Sequence, residues 1–358
     1  MSTETETPQN AVIKLPMRPG EKIRHGRRTS SRRGRVIIGV LAGLTAVLFA
    51  VSILLGTYTV TIPDFFRILG GEQIPGATFI VMDVKLPRAT VGVMVGVAFG
   101  IAGAIFQTML RNPLASPDII GISYGASAAA VSAIVIFGAS GIAISWAALL
   151  GALVVAGAIY SLSRRGGVAG YRLILVGIGF AAVLQAVVSY LITRTDARTA
   201  QDALVWMSGS LNPATWDRAG ILGLTLVVLL PATVVLSRSL GGLELGDDAA
   251  AGLGVQVEPA RLGLIIAGVA LCAVATAAAG PVAFIAFLSG PIARRLLRGR
   301  GSLPAAGLVG AVIVLGADFI AANMISGVSL PVGVITGALG APFLLWLLAT
   351  SNRTGQGG

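Results

Sequence analysis

The sequence predicts an all-α, polytopic membrane protein of about ten transmembrane helices. Three observations carry this. The 358 residues are 55% hydrophobic and only 11% charged, whereas a soluble domain carries charges near 25%. Apolar runs close to the ~20 residues that cross a bilayer recur along the whole chain. These runs are continuous rather than alternating, which excludes a transmembrane barrel and leaves helices.

Taken in order, the expected spans are 36–56, 89–109, 118–138, 142–162, 172–192, 218–237, 261–279, 281–297, 303–322 and 332–350, of which 281–297 is the weakest. Residues 1–35 form a basic tail rich in Thr, Arg, Ser and Gly, expected to be disordered and cytoplasmic. The run that follows is too long for a signal peptide and lacks a small-x-small cleavage site, so it reads as an uncleaved first span. The membrane-embedded body is 36–350, and 351–358 is a second cytoplasmic tail. The connection 57–86 carries Asp64, Glu72 and Asp83 and stays outside the bilayer, with Ile62 to Leu69 as a short interfacial helix. The 48 glycines often follow small-xxx-small spacing, as in Gly92, Gly96 and Gly100, which lets helix backbones approach closely in lipid.

Charge tests the topology. With both termini inside, twenty of the 26 Lys and Arg fall on the cytoplasmic side and six outside, namely Arg67, Lys85, Arg88, Arg194, Arg198 and Arg218. That split obeys the positive-inside rule. It also accounts for the net charge of +11 without nucleic acid, because no aromatic residues interleave the cations. One cysteine, Cys272, and one histidine, His25, exclude an internal disulfide and argue against a His/Cys metal site. Clustered carboxylates and a phosphate-binding glycine loop are missing, so an enzyme or an ion-coupled carrier acting alone fits poorly.

Four constellations stand out. The first is the turn Arg111 to Pro117, where Asn112 precedes a proline and ends a helix. Ser116, Pro117 and Asp118 then give the N-cap pattern of a restarting helix. A plain hairpin would satisfy the same signals. The second is the polar segment 243–255, with Asp247 as a cap and Gly252 and Gly254 as terminators. It is suited to dock in a groove of a cytoplasmic protein, although a surface loop would read alike. The third is Trp206 to Trp216, either interfacial tryptophans or a short helix over a pore mouth. The fourth is Lys85 and Arg88, a basic pair outside, against the trend, for which headgroup contact is the simpler reading. Gln107 and Gln185 are weak pore-lining candidates.

In order, the blocks KLPR (85–88), QTMLRNPLASPDIIGISYGA (107–126), WMSGSLNPATW (206–216), LELGDDAAAGLGVQVEPAR (243–261), AGPVAFIAFLSGPIARRLL (279–297) and LPVGVITGALGAPFLLWLL (330–348) resemble the FecCD/BtuC-type permease family of ATP-binding-cassette importers for iron siderophores, haem and vitamin B12. They look most like its ferric-enterobactin branch. The resemblance implies the ten-helix type II importer permease fold. It implies a partner permease, with a paralogue favoured over a second copy, two cytoplasmic ATP-binding-cassette subunits and an extracytoplasmic siderophore-binding protein. This chain would hold no cofactor and no metal site; ATP and Mg would sit in the ATPases. Asn112 and Leu114, with Ala169 and Gly170, map to the cytoplasmic gate. Leu245, Gly246, Asp247, Asp248, Ala251, Leu253 and Gly254 map to the ATPase-coupling segment, within a connection spanning about 240–259. Lys85 and Arg88 map to binding-protein docking. Two positions depart from the family pattern: Pro291-Ile292, where relatives carry Pro-His or Pro-Gln, and Ala322-Asn323, where some carry a basic docking residue.

Overall fold

A computed structural model describes residues 19–118, 121–163, 170–324 and 330–351. All regular structure among them is helical: α1 (Pro19–Leu54), α2 (Ile62–Leu69), α3 (Ala77–Phe79), a π-helical turn (Ile80–Lys85), α4 (Leu86–Met109), α5 (Ile122–Phe137), α6 (Ile142–Ser163), α7 (Gly170–Arg194), α8 (Ala197–Met207), α9 (Trp216–Leu236), a 3-10 turn (Ser237–Ser239), α10 (Leu240–Glu244), α11 (Asp247–Gly252), α12 (Val257–Ala279), α13 (Ile285–Leu296), α14 (Leu303–Asn323) and α15 (Val332–Ser351).

Every expected span meets a helix, but the ten are unequal. Seven helical stretches among the described residues are long and apolar enough to cross a membrane. Ile122–Phe137 and Val332–Trp346 are shorter apolar stretches. The twelve residues of α13 reach only about 18 Å at 1.5 Å per residue, well under the ~30 Å hydrocarbon core. It is a half-crossing rather than the full span expected over 281–297.

Two boundaries move. The helix of the first span begins at Pro19, so the tail expected to be disordered to residue 35 is helical from there on. Once the apolar span has met the nucleation cost, extension through Lys and Arg is cheap. Residues 1–18 and 352–358 lie outside the described residues. The second span is entered from Ala77, not from residue 89. Pro87 has no N–H to give the carbonyl four residues back, and its ring would collide with it. The helix widens there, and Leu86 N–H bonds Val81 O, five residues back.

The core is built around α4, buried along nearly its whole length and packed between α12, α13 and α14, with α1 and α9 beside it. Small residues permit this. A Cβ on Gly310 would stand 2.1 Å from Gly96 O, and one on Gly103 would stand 1.8 Å from Ala286 O. The backbones therefore touch, and dispersion and packing replace the hydrophobic drive that lipid cannot supply. Gly310→Val is expected to cost about 1–3 kcal/mol by overpacking, read as a lowered melting temperature of the purified protein.

α13 contains Pro291, which leaves Phe287 O without its ladder donor. Gln107 of α4 fills the gap: its Nε2 donates to Phe287 O at 2.9 Å. Gln107 is 1% exposed. It is thus a helix–helix fastener inside the subunit and not a pore-wall residue, correcting that expectation. Its Oε1 is buried without a partner.

Candidate functional site

One end of the bundle carries the turn after α4. Asn112 N–H bonds Gln107 O at 3.1 Å, and Arg111 N–H bonds Thr108 O at 3.2 Å. These are the paired bonds of a Schellman stop. The left-handed position is taken by Arg111, φ 50°, not by glycine, which costs about 1–2 kcal/mol. Asn112 Oδ1 then accepts from Leu114 N–H at 2.9 Å, an Asx turn that holds Pro113 and Leu114 out at the surface.

The helix does not restart at Ser116-Pro117-Asp118. Ser116 and Pro117 are buried in the turn, and α5 starts at Ile122 behind Gly121, φ 93°. A Cβ on Gly121 would stand 2.8 Å from Gly177 O of α7, so tertiary contact has overruled the local cap signal. The Asp118 carboxylate accepts a short hydrogen bond from the Ser123 hydroxyl. Of the second gate pair, Gly170 is the first residue of α7, and Ala169 lies outside the described residues.

Beside this turn lies the segment 240–255. α10 and α11 meet at Gly246, φ 108°. Gly246 itself, not Asp247, occupies the N-cap position. Asp247 is instead held from outside its helix: Arg261 Nη2 donates to its two carboxylate oxygens at 2.7 and 2.9 Å. Leu240, Leu243 and Ala250 are buried, anchoring the segment on the bundle. Leu245 and Leu253 are 66% and 67% exposed, with Asp248, Ala251 and Gly254 exposed alongside. The segment is thus a rigid ledge with two bare leucines.

The ledge and the turn are connected. The Arg111 guanidinium lies against Gly246, where a Cβ would stand 3.3 Å from its Nη1. Arg294, near the end of α13, reaches Glu244 of α10 at 3.4 Å and donates a short hydrogen bond to Thr108 Oγ1 of α4. Next to it, Arg295 stacks over Trp346 of α15, 4.5 Å from the ring centroid. No local pattern joins Thr108, Glu244 and Arg294. Their common signal was polarity at the ends of apolar runs.

At the opposite end, Lys85 and Arg88 are both engaged within the chain. Arg88 forms a two-pronged ion pair with Asp318 of α14, at 2.8 and 2.9 Å. Lys85 Nζ donates to Ile53 O, Leu55 O and Tyr58 O at 2.9, 2.8 and 2.6 Å. Its three protons thus close the carbonyl end of α1. Asn323 Oδ1 accepts from Thr57 N–H at 3.0 Å, so the departure at Ala322-Asn323 pins the same loop. Gln185 is exposed on α7, one turn before the exposed Ser189. Trp206 lies in the last turn of α8 and is partly buried, whereas Trp216 opens α9 and is exposed, with Nε1 donating to Met82 O.

Known proteins resemble this chain. The chain is 38% identical over 299 residues to the ferric enterobactin transport system permease protein FepG of Escherichia coli (strain K12), covering 83% of this chain and 91% of that one. It is 37% identical to the achromobactin transport system permease protein CbrC of Dickeya dadantii (strain 3937), covering 88% and 91%. A solved inward-facing structure of the metal-chelate type of ABC transporter superposes with a TM-score of 0.77 at 25% identity, covering 88% of this chain and 99% of that one. The profile of the FecCD transport family matches residues 44–350; the chain belongs to the FecCD transport family and is a multi-pass membrane permease.

Proposed function

We propose that this chain is the membrane-spanning permease subunit of an ATP-driven importer that carries ferric-siderophore complexes across the cytoplasmic membrane. The observation that carries the energy source is the exposed ledge of Leu245 and Leu253. Two bare leucines on a clamped polar segment suit a groove in a soluble partner. The partners are two ATP-binding-cassette subunits, where ATP and Mg are used, a second permease, for which a paralogue is favoured, and an extracytoplasmic siderophore-binding protein. Both termini and the ledge face the cytoplasm, consistent with the positive-inside charge split. The named relatives, permeases for ferric enterobactin and achromobactin, support the cargo class. The turn at Asn112 and Leu114, with Gly170, forms the cytoplasmic gate, and Gln185 faces the pore.

The test is uptake of ferric enterobactin into vesicles holding the assembled transporter. Uptake should require ATP and the binding protein. Leu245→Glu with Leu253→Glu should abolish uptake and detach the ATPases while the permease stays folded, because charged groups cannot replace apolar anchors in a desolvated groove. Gradient-driven uptake by this chain alone would overturn the reading.

A further inference from the structure

Arg218 lies in the first turn of α9 and is half-buried. Its guanidinium donates to Gly141 O at 3.2 Å and to Ala278 O at 3.5 Å. No carboxylate lies within ion-pair distance of it among the described residues. Asp217 is next in sequence and Asp202 lines the neighbouring cavity, yet neither pairs with it. Five N–H donors spent on two long carbonyl bonds leave a full charge and free donors.

That charge stands at the mouth of a cavity of about 260 Å³ between α6, α9 and α12. The cavity follows α9 from Arg218 to Thr225, about 10 Å at 1.5 Å per residue. Its walls are apolar, with Leu149 and Leu222 among them. The Thr225 hydroxyl is spent on Ile221 O at 2.7 Å. Ser145 Oγ is buried there without any partner. Trp146 on the rim and Trp216 at the head of α9 are 53% and 47% exposed. Half-exposed tryptophans mark headgroup depth in a membrane protein. A cation at headgroup depth therefore caps a slot that runs toward the hydrocarbon.

We propose that this slot binds one acyl chain of an anionic glycerophospholipid, with its phosphate on Arg218. Guanidinium matches phosphate in geometry as well as charge. Ser145 Oγ, left unpartnered by the protein, is placed to donate to an ester or glycerol oxygen of the same molecule. The apolar walls exclude a free anion as the natural occupant, because a small anion would leave the slot unfilled. The site lies away from the turn and the ledge and does not depend on the cargo assigned above.

Native mass spectrometry tests this on the assembled complex released from nanodiscs of phosphatidylcholine and phosphatidylglycerol. The wild type should retain phosphatidylglycerol. Arg218→Ala should lower retention roughly tenfold by removing a charge-assisted contact. Thr225→Phe should do the same by filling the slot, with Arg218 untouched. If Arg218→Ala fails to assemble, Thr225→Phe alone decides. Wild-type retention by Thr225→Phe, or by an assembled Arg218→Ala, overturns the proposal. So does displacement of the lipid by glycerol 3-phosphate, which would show a phosphate site without an acyl slot.

Discussion

Arg88→Met is expected to lower the stability of the protein by about 3 kcal/mol, and Asp318→Leu added to it should restore most of the loss. Asp318 is 5% exposed, and its carboxylate takes both prongs of Arg88 at 2.8 and 2.9 Å. Removing one member of such a pair strands the other charge, whereas removing both leaves an apolar contact between α4 and α14. The reversed order, Asp318→Leu first, should show the same rescue. Chemical denaturation or thermal unfolding in detergent reads both. The double variant also separates two roles for Arg88. A fastening role predicts recovery of stability and of uptake together. A docking role predicts that the double variant is stable yet has lost its dependence on the binding protein, since a rim charge sets partner registry more than affinity.

The second large effect is expected at Arg294. This side chain joins Glu244 beside the ledge, Thr108 at the end of α4 and its own α13. Movement of the ledge has a short polar route to the turn at Asn112 by way of these contacts. Arg294→Met should leave ATP hydrolysis by the assembled transporter near its normal rate and cut the siderophore imported per ATP roughly tenfold, the effect of about 1.4 kcal/mol of lost coupling. Glu244→Gln should show the same ratio change in smaller measure, because Glu244 is one of two partners. Lys in place of Arg294 keeps one contact at a time and should recover part of the ratio. If uptake and hydrolysis fell together with a lower melting temperature, Arg294 would be a fold residue only.

Much of the architecture was legible because lipid leaves few options. Continuous apolar runs must be helices, and the interruptions at Pro113, Gly246 and Gly280 fall where helices end. The exposed leucines of the ledge were legible too, as apolar positions inside a segment too polar to span. What stayed hidden depends on long-range pairing. Asp318, an acid inside an apolar run, demanded a cation, but nothing local named Arg88, 230 positions away. The basic pair therefore read as facing outward, toward headgroups or a docking partner. Likewise Ser116-Pro117-Asp118 has every local mark of a helix start. Its failure to be one reflects the close approach of Gly121 to α7, a contact no window of sequence contains. Gln107 read as polar in a span, and only the fold shows that its amide meets the carbonyl vacated by Pro291.

That last contact ties two codons together. A residue with a backbone N–H at 291 would claim Phe287 O for the ladder. The amide of Gln107, whose oxygen already lacks a partner, would then keep only the long bond from Nε2 to Ala286 O at 3.5 Å, at a cost of about 1 kcal/mol. Loss of proline at 291 therefore weakens the case for glutamine at 107. Each substitution taken first is the unfavourable one, so the two positions are energetically coupled across nearly two hundred residues of intervening chain.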